Sequence, residues 1–361
     1  MSVRVQLKQR NLLVFLCLSA FVVASIASNH LHSQSATAKD SSLLLAQSKV
    51  RLTGAGASFP APLYQRWFSD FNKANPSIQV SYQSVGSGAG VQQLINGTVD
   101  FGASDVAMSD GEMAKVSRGV VLIPMTAGSV VVGYNLPGVT SLRLSRSTLP
   151  AIFLGEIKTW NDPRIAKDNP GAKLPNRPIS VVYRADGSGT TGIFTQHLSA
   201  ISPAWKSKVG EGKSVSWPTG SGAKGNEGVT AQILQTQGSI GYLEYGYARS
   251  NKIPQATLQN KAGKFVAPTP NNSAAALASV QLPANLRAFV PDPPGANAYP
   301  IVSYSWIMAY KTYTDQNKSR ALKQALNYGL TTGQNVADDL GYIPLPSNVV
   351  SRSRAAVNSI K

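Results

Sequence analysis

Residues Ile179–Leu198 read ISVVYRADGSGTTGIFTQHL: an apolar β-branched run, a Gly/Ser/Thr loop and a helical pattern in direct succession. The run suits a buried strand, and the loop RADGSGTTG, Arg184 to Gly192, sets one arginine and one aspartate beside many backbone donors. A helix that starts after such a loop leaves its first N–H groups unpaired, and its aligned peptide dipoles add roughly half a positive charge there. The loop therefore suits an oxyanion. It reads equally as a turn in which Ser188 or Thr190 simply caps the helix.

Working outward, the same junction recurs. GAGASFP (Gly54–Pro60) and GSGAGV (Gly86–Val91) also join an extended run to a helical one. Pro60 and Pro62 suit a helix start, and Leu63, Trp67, Phe68 and Phe71 share one face of that helix. IQVSYQ alternates Ile78, Val80 and Tyr82 as a half-buried strand, and the helix opened by GSGAGV carries Val91, Leu94 and Ile95. VDFGASD is a short strand ending at Asp105, and GSVVVGYN (Gly128–Asn135) a buried one. SIGYLEYGYA, YPIVSYSWIMAY and SRALKQALNYGL continue the alternation of strand and helix. The pattern is that of an α/β protein, without a sequence repeat of solenoid length. Ser58, Ser87, Ser188 and Thr190 would add hydroxyl donors to the three loops.

With 361 residues, 43% of them hydrophobic, the chain can bury a core of two ordinary lobes. Its formal charge is +17, or +14 without Arg4, Lys8 and Arg10, which favours anionic partners. No Lys/Arg tract is interleaved with aromatics, so nucleic acid is not expected. Those three cations precede LLVFLCLSAFVVASIA, a basic and then apolar leader typical of export, short of the roughly 20 residues of a membrane span. Cleavage is expected after residues 1–27, at Ser25-Ile26-Ala27, with Ala36-Thr37-Ala38 as a second candidate; residues 28–49 then read as a linker. Cys17, the single cysteine, falls inside the leader after Leu16 and lacks the small residues of a lipidation site. A mature chain without cysteine has neither disulfide nor thiolate metal site.

Several chemistries are poorly served. GSGAGVQQ and GSGTTGIF lack the lysine of a nucleotide P-loop, and neither Ser87 nor Ser188 sits in G-x-S-x-G. His30 and His32 fall in the linker, leaving His197 as one candidate base, which reads more simply as a helix residue packed in the interior. Metal-ligand clusters are not evident, and no cofactor is expected.

Seven stretches, TGAGASFPAPLY, YQSVGSGAGVQQ, TVDFGASDVAMSD, IFLGEIKTWNDP, VVYRADGSGTTGIFT, WPTGSGAKGNEGV and GSIGYLEYGYA, together resemble the phosphate-binding proteins of high-affinity phosphate ABC transporters. They occur in that family's order, from about Leu52 to the C-terminal region. The resemblance implies a two-lobed periplasmic-binding-protein fold of type II, with ligand in the cleft between α/β lobes. Lobe one is then 50–134 plus 300–361 and lobe two 135–299, with crossings near Tyr134-Asn135 and Pro300. It further implies a periplasmic monomer that binds inorganic phosphate and serves a membrane permease, and not an enzyme. The alternatives are an exported phosphoester hydrolase and a binder or sensor of another tetrahedral oxyanion.

Matched position by position, the implied phosphate-binding residues are Ser58, Phe59, Ser87, Asp105, Arg184, Ser188, Gly189 and Thr190. Asp186 matches the aspartate that pairs with the arginine. Two departures are visible: Ser58 stands where threonine is common, and Gly88 where a second serine would offer another donor. Asp105 is the unusual member, since a carboxylate can accept a proton from phosphate but repels sulfate, which has none. From its position alone it also reads as the N-cap of a helix beginning in VAMSD.

Overall fold

The computed structural model describes residues 49–361, so the leader, the linker up to residue 48, Cys17, His30 and His32 lie outside it. In chain order the first part runs β1 (Val50–Gly56), α1 (Ala61–Ala74), β2 (Ile78–Ser84), α2 (Ser87–Ile95), β3 (Phe101–Ser104), α3 (Asp110–Met113) and β4 (Val120–Asn135). The middle holds β5 (Arg143–Leu144), α4 (Thr148–Phe153), α5 (Pro163–Asp168), β6 (Ser180–Arg184), α6 (Gly189–Ile201) and α7 (Pro203–Lys208). There follow β7 (Ser221–Ala223), α8 (Gly225–Gln235), β8 (Ser239–Glu244) and α9 (Tyr245–Ser250). The chain closes with β9 (Thr257–Gln259), β10 (Phe265–Val266), α10 (Pro270–Ala278), β11 (Val302–Tyr310), α11 (Gln316–Leu330) and α12 (Ser347–Asn358).

Eight strands share one mixed sheet in the order β2-β1-β3-β11-β4-β8-β6-β7. Its flanks are parallel, β1 with β2 and β3, and β6 with β7 and β8, as strand-loop-helix units require. Its middle is antiparallel. Val120 to Ser129 of β4 pairs with β11, and Val130 to Asn135 pairs with β8. One strand thus joins two parallel halves.

The apolar run Gly128–Asn135 is only the second half of β4. Pro124 obscures the first half in the sequence, because it cannot donate to a ladder. The strand accommodates it at a bulge: Trp306 faces Pro124, Ser305 faces Thr126, and Met125 between them is unpaired.

The expected faces are buried. In α1, Leu63, Trp67, Phe68 and Phe71 turn inward, and full burial of such side chains stabilises by about 1.5–3 kcal/mol each. The helix begins on Pro60 with Pro62 in its first turn, where a missing N–H costs nothing. Strand β2 buries Ile78, Val80 and Tyr82 alternately. Asp105 caps no helix: residues 106–109 are non-helical, and α3 is capped by Ser109 in a reciprocal box with Glu112.

Helix α2 lies directly on the sheet through Gly90. A Cβ there would stand 2.5 Å from Gly56 Cα and 2.8 and 2.9 Å from the carbonyl oxygens of Ala55 and Ala103. Backbone on every side cannot yield cheaply. Gly90→Ala is therefore expected to destabilise the protein by about 1–3 kcal/mol in urea unfolding. Gly111→Ala, where nothing lies within 4 Å, is the control and should match or slightly exceed the unaltered protein.

Candidate anion-binding site

Four segments converge where the two halves of the sheet meet. The turn after β1 brings Ser58 and Phe59, the start of α2 brings Ser87, and the end of β3 brings Asp105; β6 and the start of α6 bring Arg184, Ser188, Gly189 and Thr190 from the other half. All eight are buried. A Cβ on Gly189 would lie 2.5 Å from Ser87 Oγ and 2.6 Å from Asp105 Oδ2, so only glycine permits this approach. Beside it, Gly88 N–H donates to Gly187 O at 2.8 Å. A Cβ at Gly88 would press to 3.2 Å on Gly187 Cα. The departure at Gly88 thus exchanges a possible hydroxyl for a close backbone contact.

The guanidinium of Arg184 is held on one edge. Its Nε and Nη2 donate to the two carboxylate oxygens of Asp186 at 2.8 and 2.5 Å, and Asp186 Oδ1 also accepts Gly225 N–H at 3.0 Å. Burial alone would raise the Asp186 pKa, but the Arg184 hydrogen bond and charge outweigh it and hold the carboxyl below its ordinary value. Arg184 is fixed from behind as well. Its backbone N–H donates to Tyr242 Oη at 3.0 Å, whose hydroxyl also bonds Thr191 Oγ1 at 2.6 Å. Tyr242 in turn stacks on Phe194 and Trp217. The planar fork is thereby preorganised.

Hydroxyl bookkeeping shows what the loops offer. Ser58 Oγ accepts from Asn226 N and Nδ2 at 3.0 and 2.9 Å; Thr190 Oγ1 accepts from Arg184 Nη1 at 3.3 Å and Asn226 Nδ2 at 3.2 Å. A hydroxyl with both lone pairs engaged has only its hydrogen left to give. Ser188 caps α6 by accepting Thr191 N–H at 3.0 Å, so the capping reading holds there and still leaves an O–H donor. Ser58 and Ser87 are not N-caps, those positions being Pro60 and Gly86.

Asp105 stands against this array of donors. Ser305 Oγ donates to its Oδ1 at 2.7 Å and Ser87 Oγ to its Oδ2 at 3.4 Å. Burial pushes its pKa up to about 7, against the opposing pull of Ser305, Arg184 and Ser87. The charges of Arg184, Asp186 and Asp105 leave no net positive excess, so an anion here would depend on oriented dipoles of hydroxyls and helix starts.

Two central residues escaped the sequence reading. Asn226 is completely buried at the start of α8, and its Oδ1 accepts Glu244 N–H at 3.0 Å. It falls in the stretch WPTGSGAKGNEGV, one of the seven that carry the family resemblance, but nothing local marks an asparagine as a bridge between Ser58 and Thr190. Ser305 comes from β11, some two hundred positions from Asp105 in sequence. His197 lies away from the loops. Its Nδ1 bonds Pro291 O at 2.7 Å, and burial lowers its pKa to about 4, which makes it a neutral interior helix residue.

Comparison with known proteins places the chain in a family. Residues 33–331 match the model of the PBP superfamily domain. The chain is 44% identical to the phosphate-binding protein PstS of Pasteurella multocida over 84% of its own length and 89% of the relative's. It is 39% identical to PstS of Methanocaldococcus jannaschii, over 87% of each. Among solved structures, a high-affinity periplasmic phosphate-binding protein bound with phosphate superimposes with a TM-score of 0.70 at 22% identity, covering 85% of this chain and 93% of the other. A phosphate-binding protein from Stenotrophomonas maltophilia gives 0.68 at 21%, with the same coverages. The last two show the periplasmic-binding-protein fold, and the sequence matches show more: this chain belongs to the PstS family of phosphate-binding proteins, within the PBP superfamily.

Proposed function

We propose that the protein captures inorganic phosphate between the two halves of its sheet and delivers it to a membrane permease of the ABC type. The observation that carries this reading is the buried carboxylate of Asp105 set among donors. A site built only to attract anions would exclude it. Phosphate near neutral pH still carries a proton, and Asp105 can take it in a hydrogen bond while Arg184, Ser58, Ser87, Ser188, Thr190 and backbone N–H groups meet the other oxygens. Leaving any of that charge unmet would cost several kcal/mol. Charge-assisted bonds such as those of Arg184 supply about 1.5–3 kcal/mol each. The proposed ligands are these residues with Phe59 and Gly189 shaping the wall, and Asp186 positioning Arg184.

The halves serve as lobes in this reading. Lobe one takes residues 50–134 plus 300–361 and lobe two 135–299, and the change of β4 partner between Ser129 and Val130 supports a first crossing inside the strand, upstream of Tyr134-Asn135. Binding rather than catalysis is favoured because His197, the candidate base, is engaged by Pro291. The basic, apolar start of the chain supports export to the periplasm with the leader removed, and the protein is taken to act as a monomer. Among the described residues no helix is long and apolar enough to cross a membrane.

Selectivity then follows the protonation of Asp105. Above pH 7 the ionised carboxylate accepts from a protonated anion and repels sulfate. Below pH 7 the carboxyl gains a proton and can donate to sulfate, which does not titrate in this range. Calorimetry should show sulfate affinity rising by up to about tenfold per pH unit as pH falls from 9 toward 7, and levelling off below 7 where the carboxyl is already protonated. In Asp105→Asn the sulfate affinity should be higher at pH 8 and nearly flat with pH. Unchanged selectivity in that variant would remove Asp105 from the site.

The same carboxyl should cost stability. A pKa of about 7 in the folded state against the ordinary 3.8 means that the folded protein binds more protons than the unfolded between those values. Its contribution to stability therefore falls as pH rises through that window. Without phosphate, Asp105→Asn is expected to be more stable than the unaltered protein at pH 8 by about 1–3 kcal/mol and to lose that advantage near pH 4, as read by urea unfolding.

A further inference from the structure

An ion pair bridges the two halves beside the site, and none of its atoms belongs to the proposed phosphate ligands. Lys213 Nζ donates to Glu112 Oε1 at 2.5 Å, across 101 positions of sequence. Each partner is built in firmly. Glu112 uses its other oxygen to accept Ser109 N–H at 2.9 Å, completing the cap of α3, which follows β3 and Asp105. Lys213 lies in the loop after α7, and its carbonyl oxygen accepts Ser188 N–H at 2.7 Å, while Gly212 N–H donates to Thr195 Oγ1 at 3.1 Å. The backbone at Lys213 therefore braces the start of α6, and its side chain reaches the opposite half. The two side chains retain only 21% and 27% of their exposure. At the other edge Ser84 Oγ donates to Glu227 Oε1 at 2.9 Å, again between halves.

We propose that the Lys213–Glu112 pair is a closing latch that prolongs the residence of phosphate without touching it. This rests on the functional reading above. The pair exists only when α3 and the loop after α7 are together, so it adds an interaction to the closed arrangement that an open one lacks, and such a difference is what shifts a conformational equilibrium. Separated, both charges return to water. The latch then acts on release more than on capture, since closure follows encounter. It leaves phosphate and sulfate equally affected, because neither partner faces the anion.

The test combines calorimetry with stopped-flow release of phosphate for Lys213→Ala, Glu112→Gln and the double variant. Glutamine retains the cap of α3, and any side chain at 213 retains the carbonyl that braces Ser188. Each single variant should release phosphate about three- to tenfold faster, with little change in association and the same preference for phosphate over sulfate. The double variant should be no worse than either single one. The effect in Lys213→Ala should shrink when release is compared at about 0.5 M salt, where the unaltered pair is itself screened. Unchanged release in Lys213→Ala, or fully additive effects in the double variant, overturns the latch while phosphate binding stands. Failure of the unaltered protein to bind phosphate overturns the functional reading, and the latch with it.

Discussion

The whole site depends on one strand having two partners. Strand β4 gives its first ten residues, Met125 apart, to β11 and its last six to β8. Every loop that reaches the site hangs from strands on one side or the other of that change, so the sheet sets the separation between Asp105 and Arg184 before any ligand group is chosen. A strand shared by two halves can serve as the axis about which they turn. That is the mechanical property a cleft between two halves needs.

Upon that frame the chemistry is assembled in layers. The anion loops supply donors, and a second tier decides which way those donors point. Asn226 saturates Ser58 as an acceptor and, together with Arg184, Thr190; Asp186 occupies one edge of Arg184, and the Tyr242–Phe194–Trp217 stack holds the β6 end from below. Preorganisation of this kind places the cost of ordering in folding rather than in binding. Asp105 runs against that economy, being a buried carboxylate set among donors.

Much of this was legible in the sequence because local chemistry is written locally. Three Gly/Ser/Thr junctions between extended and helical runs marked the loops, the 3.6-residue spacing of Leu63, Trp67 and Phe71 marked α1, and Arg184 and Asp186 stand two positions apart. What stayed hidden depends on distance. Ser305 and Asn226 reach the site only through the sheet order, which no spacing encodes. The first half of β4 was masked by Pro124, whose missing donor is absorbed by a bulge that requires β11 as a partner. The lysine of the latch reads as one more surface charge until α3 is seen opposite it.

Gly189 carries a consequence for how such a protein can diversify. Boxed in by Ser87 and Asp105, it leaves no room for the smallest side chain, so the point where the two halves touch cannot be altered by substitution there. Under the proposed function, change in ligand preference would come from behind: from Asn226, from Ser305, or from whatever adjusts the proton affinity of Asp105. In that reading the innermost residues are the least adaptable, and inheritable variation in affinity is displaced to the positions that hold them.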